Sequence, residues 1–480
     1  MRIGIVGAGL SGLATAFYLK RSRPDIELVI FEANARPGGA LQTEDVQGFR
    51  FEAGGNGFLT NKPDCLQLVE DSGAQALLLP SSDLARKRFI YTDRLHRMPE
   101  SAKLFAQSKL MTLAQKLRML GEFFVPARRD GVDESLREFG DRRLGPAFTN
   151  VFLDAMSAGI YGSTPEKISV KAAFPMIVAL EREHGGLFRG MLAKRKKEAG
   201  PGGVLTSTRG GISSLIRHLQ DVVKAEWRVG ESVRSVARVG SGYRIESDKG
   251  STDVDRVVIC AASYAAAPMI AGIDAELSRR LADIRYSPIA VVGFGYRSLE
   301  EPLDGFGLLT TSAARLPILG VLWDSSIFPD RAPPGCKSIR AMIGGQRNPE
   351  LVDQDDAGLI RTALTGIEKS MGLKQAPDVT YVKRWDRGIP SYAPGHIANV
   401  DALFARLENF PGLYLNCNAY RGIAMNDCAR NSRELAARIC TSPACAGEVG
   451  RRPGEGRVAR VRGAQRGSGP LSRFSGRGLG

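Results

Sequence analysis

The sequence predicts an α/β protein, and three observations carry that prediction. Gly7, Gly9 and Gly12 stand at a tight turn between a strand-like run, Arg2–Val6, and an Ala/Leu-rich helical run to Lys20. Two further apolar runs, Glu27–Phe31 and Asp255–Ala261, look like partners of the first strand in one parallel sheet. From Pro288 to about Trp385 short strands alternate with glycine turns around one helix near Asp355–Met371, the pattern of a separate β-rich domain.

The glycine spacing gives each glycine a task. Gly7 permits the sharp turn off the strand, Gly9 lets backbone approach a pyrophosphate, and Gly12 lets the helix pack closely on the strand. The helix start then offers free N–H groups and a partial positive charge to phosphates. Glu32 lies 20 residues past Gly12, where a carboxylate meets an adenosine ribose hydroxyl. A G-x-G-x-x-G alone is weak. Between two expected strands, with the acid in place, it predicts a Rossmann-type dinucleotide-binding domain.

Further along, Ala33–Gly39 reads as a turn crossing back over the ligand, and Phe49–Glu52 as a strand. The strand runs into a second glycine-rich loop, Gly54–Gly57, where backbone can lie against a flat ligand. Lys87–Tyr91 and Leu95–Met98 form a hairpin around Thr92-Asp93-Arg94. From Ala102 to Lys197 the pattern is mostly helical. Leu110, Leu113, Leu117, Leu120 and Phe124 recur at helical spacing, and a later helix ends in Lys194-Arg195-Lys196-Lys197. The plain reading is a core face with a solvated face; the sharper one is a basic amphipathic surface on anionic lipid. Gly200–Gly203 is a linker, and Arg209–Ile216 opens another helix. Trp227–Val236, Tyr243–Ser247 and Val254–Cys260 read as strands. The ordered part closes with a strand at Gly412–Cys417, a loop at Asn418–Asp427 and a helix from about Cys428 to Ile439.

The chain has 480 residues, enough for two to four domains at ~100–200 residues each. Its hydrophobic content of 43% is that of a soluble globular protein, and no run approaches the ~18 apolar residues of a membrane span. Met1-Arg2 leads straight into a strand with no signal peptide, so a cytoplasmic location is expected. Seven cysteines at irregular spacing suggest reduced thiols, and four scattered histidines argue against a metal site. The net charge is +15, of which +6 falls on residues 440–480, where eight arginines meet only Glu448 and Glu455. That Arg/Gly-rich tail is expected to be disordered, and deleting it is expected to leave activity intact. With no basic stripe interleaved with aromatics, nucleic acid is the least favoured partner.

The run Gly7-Ala-Gly-Leu-Ser-Gly12-Leu-Ala-Thr-Ala-Phe-Tyr-Leu19, followed by Glu32 and Arg36-Pro-Gly-Gly39, resembles the FAD-binding amine-oxidase-like superfamily. Its members include monoamine and polyamine oxidases, phytoene desaturases and protoporphyrinogen oxidases. Glu-x3-Arg-x-Gly-Gly after the second strand points to FAD rather than NAD. Lys87–Tyr91, Asp154–Ser169 with Gly159-Ile-Tyr-Gly162, and Leu415–Cys428 look like the oxygen-dependent protoporphyrinogen oxidase family. Gly305–Leu309, Leu319–Leu322, Ile343–Asn348 and Gly388–His396 fit it in the same order, so the resemblance runs from Met1 to about Ile439.

The resemblance implies a Rossmann-type FAD-binding domain (1–90, 200–265 and 400–440), a helical membrane-associating domain (91–199) and a β-rich substrate domain (266–399), with the tail at 441–480. It implies non-covalent FAD held by Gly7, Ala8, Gly9, Leu10, Ser11, Gly12, Glu32, Arg36, Gly38 and Gly39, with Val233 meeting the adenine by its backbone. Gly54, Gly55, Asn56 and Gly57 would lie by the isoalloxazine, and Asn418, Ile423, Ala424 and Met425 would close over it, bringing a helix start to the flavin pyrimidine. For the substrate it implies Arg88 as a propionate anchor, Asn56 near the reacting face, Leu309, Leu322 and Met342 against the tetrapyrrole, and Gly159 in close backbone approach. No side chain stands out as general acid or base. Cys417 stands where the family usually has glycine, and Gly55 where relatives often have proline; either change would crowd or loosen the flavin.

The implied reaction is six-electron oxidation of protoporphyrinogen IX to protoporphyrin IX in heme biosynthesis, with oxygen reduced to hydrogen peroxide. The implied setting is the inner face of the cell membrane, peripherally bound, with a homodimer and a contact with the next pathway enzyme allowed. Three alternatives stay open. One is oxidation of coproporphyrinogen III, whose four propionates ask for more positive charge. Another is an amine oxidase or carotenoid desaturase, disfavoured because Tyr420 is the lone aromatic of the C-terminal loop. The last is a flavin- or tetrapyrrole-binding protein, or a membrane scaffold, without turnover.

Overall fold

In the computed structural model, which describes residues 1–195 and 203–441, the glycine turn joins strand β1 (Arg2–Val6) to helix α1 (Leu10–Ser22), followed by strand β2 (Glu27–Glu32). These belong to a five-stranded sheet in the order Glu226–Val229, β2, β1, Arg256–Ile259, Leu413–Leu415, with every neighbour parallel. One face packs on α1 and the helices Ser213–Val222 and Met425–Thr441, burying Leu13, Leu19, Ile216 and Ile439. The other packs under an antiparallel meander, Val233–Val254, and the helices Ser263–Met269, Ala275–Ala282 and His396–Leu407. Burial on both faces is why β1 and β2 read as continuous apolar runs rather than alternating ones.

The β-rich region forms a seven-stranded sheet in the order Val379–Pro390, Tyr286–Tyr296, Lys337–Gly344, Gly320–Leu322, Gly307–Thr310, Arg88–Tyr91, Leu95–Arg97. One face is a closed core: Val292, Phe294, Ile339 and Ala341 meet Leu359, Ala363 and Ile367 of the helix Asp356–Met371. The strand Phe49–Glu52 lies across the opposite face. A Cβ on Gly293 would stand 2.5 Å from the Phe51 ring, and one on Gly295 would stand 2.8 Å from the Phe49 ring.

Four details differ from the sequence reading. The 88–97 hairpin joins the seven-stranded sheet, with Arg88–Tyr91 parallel to Gly307–Thr310, so residues 88–90 sit in that layer. The single strand expected at Trp227–Val236 breaks at Gly230, whose φ is +66°, into one strand of the parallel sheet and one of the meander. The last helix begins at Met425 rather than Cys428, so its first turn coincides with the Ile423–Met425 motif. The core reading of the amphipathic helix is overturned. The helix Leu113–Leu120 buries only Met119, while Leu113 is 74% exposed, Phe124 is 88% exposed, and Leu117 and Leu120 also face outward. Its spacing records an apolar surface, not a core face.

Met1–Cys440 form one compact unit. The side chains of the run Lys194–Lys197, residues 200–202 of the linker and the tail from 442 onward lie outside the described residues. Among the described residues no helix is long and apolar enough to cross a membrane.

Candidate active site

The turn after β1 is built almost wholly from backbone. Gly7 has φ +99° and donates its N–H to Phe31 O at 2.8 Å. A Cβ on Gly12 would stand 2.0 Å from Gly7 O, so only glycine lets α1 start there. Gly38 N–H donates to Ala8 O at 2.9 Å, and Gly9 bridges Gly38, so two backbone segments face each other with no side chain between them. Leu10 and Ser11 begin α1 and are buried. Glu32, buried at the end of β2, accepts from Ala8 N–H through Oε2 at 2.9 Å and from Asn34 through Oε1. Oε2 keeps a lone pair for a hydroxyl. Glu231 N–H donates to Glu32 O at 3.0 Å, and Val233, two residues on, is buried in the apolar cluster of Val6, Val29 and Phe31. Arg36 turns to Glu44 and Gln42 instead of standing free.

The second wall follows Phe49–Glu52. Gly54 and Gly57 are required by the chain itself: Cβ atoms there would stand 2.3 Å from Ala40 O and 2.4 Å from Thr206 O. Gly55 has more room, with Leu41 at 3.3 Å. Asn56 points a buried Nδ2 into this region with no partner among the described residues. A buried amide donor left unpaired costs about 1–3 kcal/mol, so it marks a place for a ligand acceptor.

From the C-terminal side, Asn416 donates to Thr15 Oγ1 at 3.0 Å and Ser432 Oγ at 2.9 Å, tying the last strand to α1 and the final helix. Tyr392 OH donates to Asn418 O at 2.7 Å, and the Tyr392 ring stacks on His396 at 4.2 Å. Ala424 is exposed and accepts from Asp427 and Cys428 N–H, while Met425 is buried under the helix start. Cys417 packs in the apolar core with Leu415 and Tyr420, and burial pushes its thiol up to about 12. The side chain expected to crowd the flavin thus lies in the protein core.

The second face of the seven-stranded sheet carries the expected substrate residues, the apolar ones half-buried: Met342 packs with Ala158 and Val291, and Leu322 with Ile327 and Phe328. Register aligns Arg88, Gly307, Leu322 and Arg340 in one cross-strand row, and Ile90, Leu309, Gly320, Met342 and Val291 in the next. Residues two apart share a face, so Arg88, Leu309, Leu322 and Met342 line one surface. A Cβ on Gly159 would stand 2.7 Å from Leu309 Cδ2, so the glycine lets the helix Asp154–Tyr161 lie on that surface. Arg88 is exposed, stands 5.0 Å over the Phe306 ring and has no ion pair among the described residues, whereas its neighbour Lys87 is neutralised by Asp304.

Two buried charge groups escape sequence reasoning. Arg340 makes a two-pronged pair with Asp324 at 2.6 and 2.8 Å and donates to Glu52 O. Glu52 pairs with Arg331 at 3.0 Å. Burial works against the Arg340 charge, but Asp324 and Glu52 outweigh it and hold the guanidinium charged. Burial pushes the Glu52 carboxyl up, and Arg331 pulls it back. Second, Asp154 accepts from Ser312 N–H at 2.5 Å and Ser312 Oγ at 2.7 Å and lies 3.5 Å from Arg347, joining the Gly159 helix to the sheet. An arginine inside the apolar strand Ser-Ile-Arg340-Ala-Met-Ile was the available signal, because such a charge survives burial only with a partner.

A family model, flavin containing amine oxidoreductase, matches residues 10–440. The chain belongs to that family. It is therefore a flavoprotein oxidoreductase with FAD as its cofactor, in the mixed α/β fold of the FAD-dependent amine oxidases. Among its relatives, "Coproporphyrinogen III oxidase" of Bacillus subtilis (strain 168) is 29% identical over 88% of this chain and 94% of its own length. "Protoporphyrinogen oxidase" of Homo sapiens is 26% identical over 91% and 97%. A crystal structure from Exiguobacterium sp. 255-15, provisionally named protoporphyrinogen oxidase, superposes with a TM-score of 0.81 at 27% identity, covering 91% of this chain and 98% of that one.

The residues present fit FAD. The Gly7–Gly12 turn and Gly38–Gly39 form a cradle free of side chains, Glu32 keeps an acceptor for a hydroxyl, and the buried Asn56 amide has no partner among the described residues.

Proposed function

We propose that this flavoprotein oxidises protoporphyrinogen IX to protoporphyrin IX, removing six electrons and passing them to oxygen as hydrogen peroxide, a step of heme biosynthesis. The observation that carries the reading is the apolar surface of Leu309, Leu322 and Met342 ending in the unpaired Arg88. A flat, apolar ring system with carboxylates on one edge matches that layout, because a guanidinium clamps a carboxylate in two prongs and fixes its orientation. The relatives' names support the same substrate class.

Held non-covalently by the Gly7–Gly12 turn, Glu32 and Gly38–Gly39, FAD would supply the hydride-accepting and oxygen-reducing chemistry. The chain's own part is positioning. Arg88 anchors a propionate, Gly159 lets the helix close over the macrocycle, and Leu309, Leu322 and Met342 exclude water. Asn56 donates its free N–H near the reacting face, and the first turn of the Met425 helix offers its N–H groups to the pyrimidine side. No acid or base is assigned. A porphyrinogen is electron-rich, and its pyrrole nitrogens stabilise the cation left when hydride departs, so orientation and a fixed electrostatic surrounding suffice.

A second reading is oxidation of coproporphyrinogen III, favoured by the names of the relatives from Bacillus subtilis and Staphylococcus aureus. Aerobic assay of the FAD-loaded protein with both porphyrinogens, following porphyrin fluorescence and peroxide, decides between them. Turnover of an amine or a carotene, with neither porphyrinogen oxidised, rejects both. The exposed apolar row Leu113, Leu117, Leu120 and Phe124 supports peripheral seating of the helical region on the inner face of the cell membrane.

A further inference from the structure

The charges beneath the second wall come from four separate places in the chain. Glu52 ends the strand Phe49–Glu52, Asp324 opens the short helix Asp324–Ile327, Arg331 ends the turn Pro329–Arg331, and Arg340 lies mid-strand in Lys337–Gly344. None is more than 2% exposed. Glu52 Oε1 also accepts from Ile212 N–H at 3.0 Å, and Oε2 accepts from Thr43 Oγ1 at 2.7 Å. Ala53 is fixed at both ends: its N–H donates to Gln42 O at 2.8 Å, and its carbonyl accepts from Trp385 Nε1 at 2.7 Å. The chain then passes Gly54, pressed on Ala40, to Asn56 with its unpaired amide.

Burying four charges is costly, and a packed apolar cluster would hold the same strands as well or better. What charges add is direction: the two-pronged Arg340–Asp324 pair fixes an angle as well as a distance. Arg340 also shares its cross-strand row and face with Leu322, so the element that lines the substrate surface grips the loop that carries Asn56.

We propose that Arg340, Asp324, Arg331 and Glu52 are positioning residues that, with Trp385, set Asn56 at the reacting face and so govern the rate of electron transfer more than substrate affinity. This rests on the porphyrinogen-oxidase reading for its substrate, but the placement of the loop is measurable without one.

The test uses Arg340→Lys, which keeps the charge and loses the two-pronged pair, and Trp385→Phe, which removes one bond and no charge. Both are made in the FAD-loaded protein, alone and with Asn56→Ala. Amide hydrogen exchange across residues 53–57 should speed up in both variants, with FAD content and Tm close to wild type. Anaerobic flavin reduction by porphyrinogen should slow by roughly tenfold or more while KM changes little, since small misplacements cost that much. In the Asn56→Ala background the Arg340→Lys loss should shrink towards nothing. Unchanged exchange at 53–57 in both variants, or an undiminished Arg340→Lys loss without Asn56, overturns the proposal. If wild-type protein oxidises no porphyrinogen, the functional reading fails, and the exchange data still decide the placement.

Discussion

Arg88 is a cation with no carboxylate partner among the described residues, at the edge of an apolar row. A charge-assisted hydrogen bond is worth about 1.5–3 kcal/mol, so Arg88→Ala should raise KM by roughly 10–100-fold. FAD content, read from absorbance, should stay unchanged; equal loss of FAD would make the residue structural. Position 12 has no room for a side chain: Gly12→Ala puts a Cβ 2.0 Å from Gly7 O, and the purified variant should carry little or no FAD. His396 gives a pH dependence. Burial holds its pKa below the ordinary 6.5, outweighing the Tyr420 carbonyl and Asp133. The unfolded state therefore takes up a proton that the folded state resists. This contribution is complete above about pH 6.5 and is lost as pH falls below it. Urea midpoints from about pH 5 to 7.5 should fall on the acid side, and His396→Gln should flatten that slope. The glycines and Glu32 were legible in the sequence because their spacing is itself the geometry. Arg340, Asp324, Arg331 and Arg347 were not, because their partners are set by register and tertiary approach, which spacing does not encode.

At the scale of elements, the helix Leu113–Leu120 sits against the body of the helical region with its leucines outward. A buried pair below it, Arg143 with Glu122 at 2.6 Å, joins the turn after that helix to the start of the helix Leu187–Arg195, whose first N–H groups Glu122 accepts. Glu122→Gln takes the nearer carboxylate from Arg143 and leaves it Glu181 at 3.7 Å, so the urea midpoint should fall, by less than the roughly 3–5 kcal/mol of a buried charge with no partner. Leu117→Asp together with Phe124→Ser should change stability by no more than about 0.5 kcal/mol, because those side chains touch solvent. The same double variant should lose binding to anionic vesicles in co-sedimentation; undiminished binding contradicts the membrane proposal. Periodicity disclosed the helix and its apolar stripe, but a stripe looks the same whether it faces a core or a membrane. Strand runs were legible for the same periodic reason, whereas the break at Gly230 was not, since a glycine inside an apolar run also suits a continuous strand.

Across the whole molecule, two sheets do different work. The parallel sheet, buried on both faces, carries the phosphate cradle at the ends of its strands, where helix starts and glycine turns converge. The seven-stranded sheet keeps one face for its own core; its other face carries the strand Phe49–Glu52 and the row of Leu309, Leu322 and Met342 proposed to meet the substrate. The strand Phe49–Glu52 and the loop 53–57 pass between them, held to one layer through Ile212 and to the other by Arg331, Arg340 and Trp385. On the proposed function, this arrangement brings a carboxylated, electron-rich macrocycle against FAD with no acid or base of the chain's own. The most direct measurement mixes the FAD-loaded protein anaerobically with protoporphyrinogen IX, and separately with coproporphyrinogen III, while following the flavin absorption band. At least one of them should bleach the band in a single rapid phase, and admitting oxygen should restore it with release of peroxide. A flavin that stays oxidised with both porphyrinogens, yet is reduced by an amine or a carotene, would contradict the proposed function.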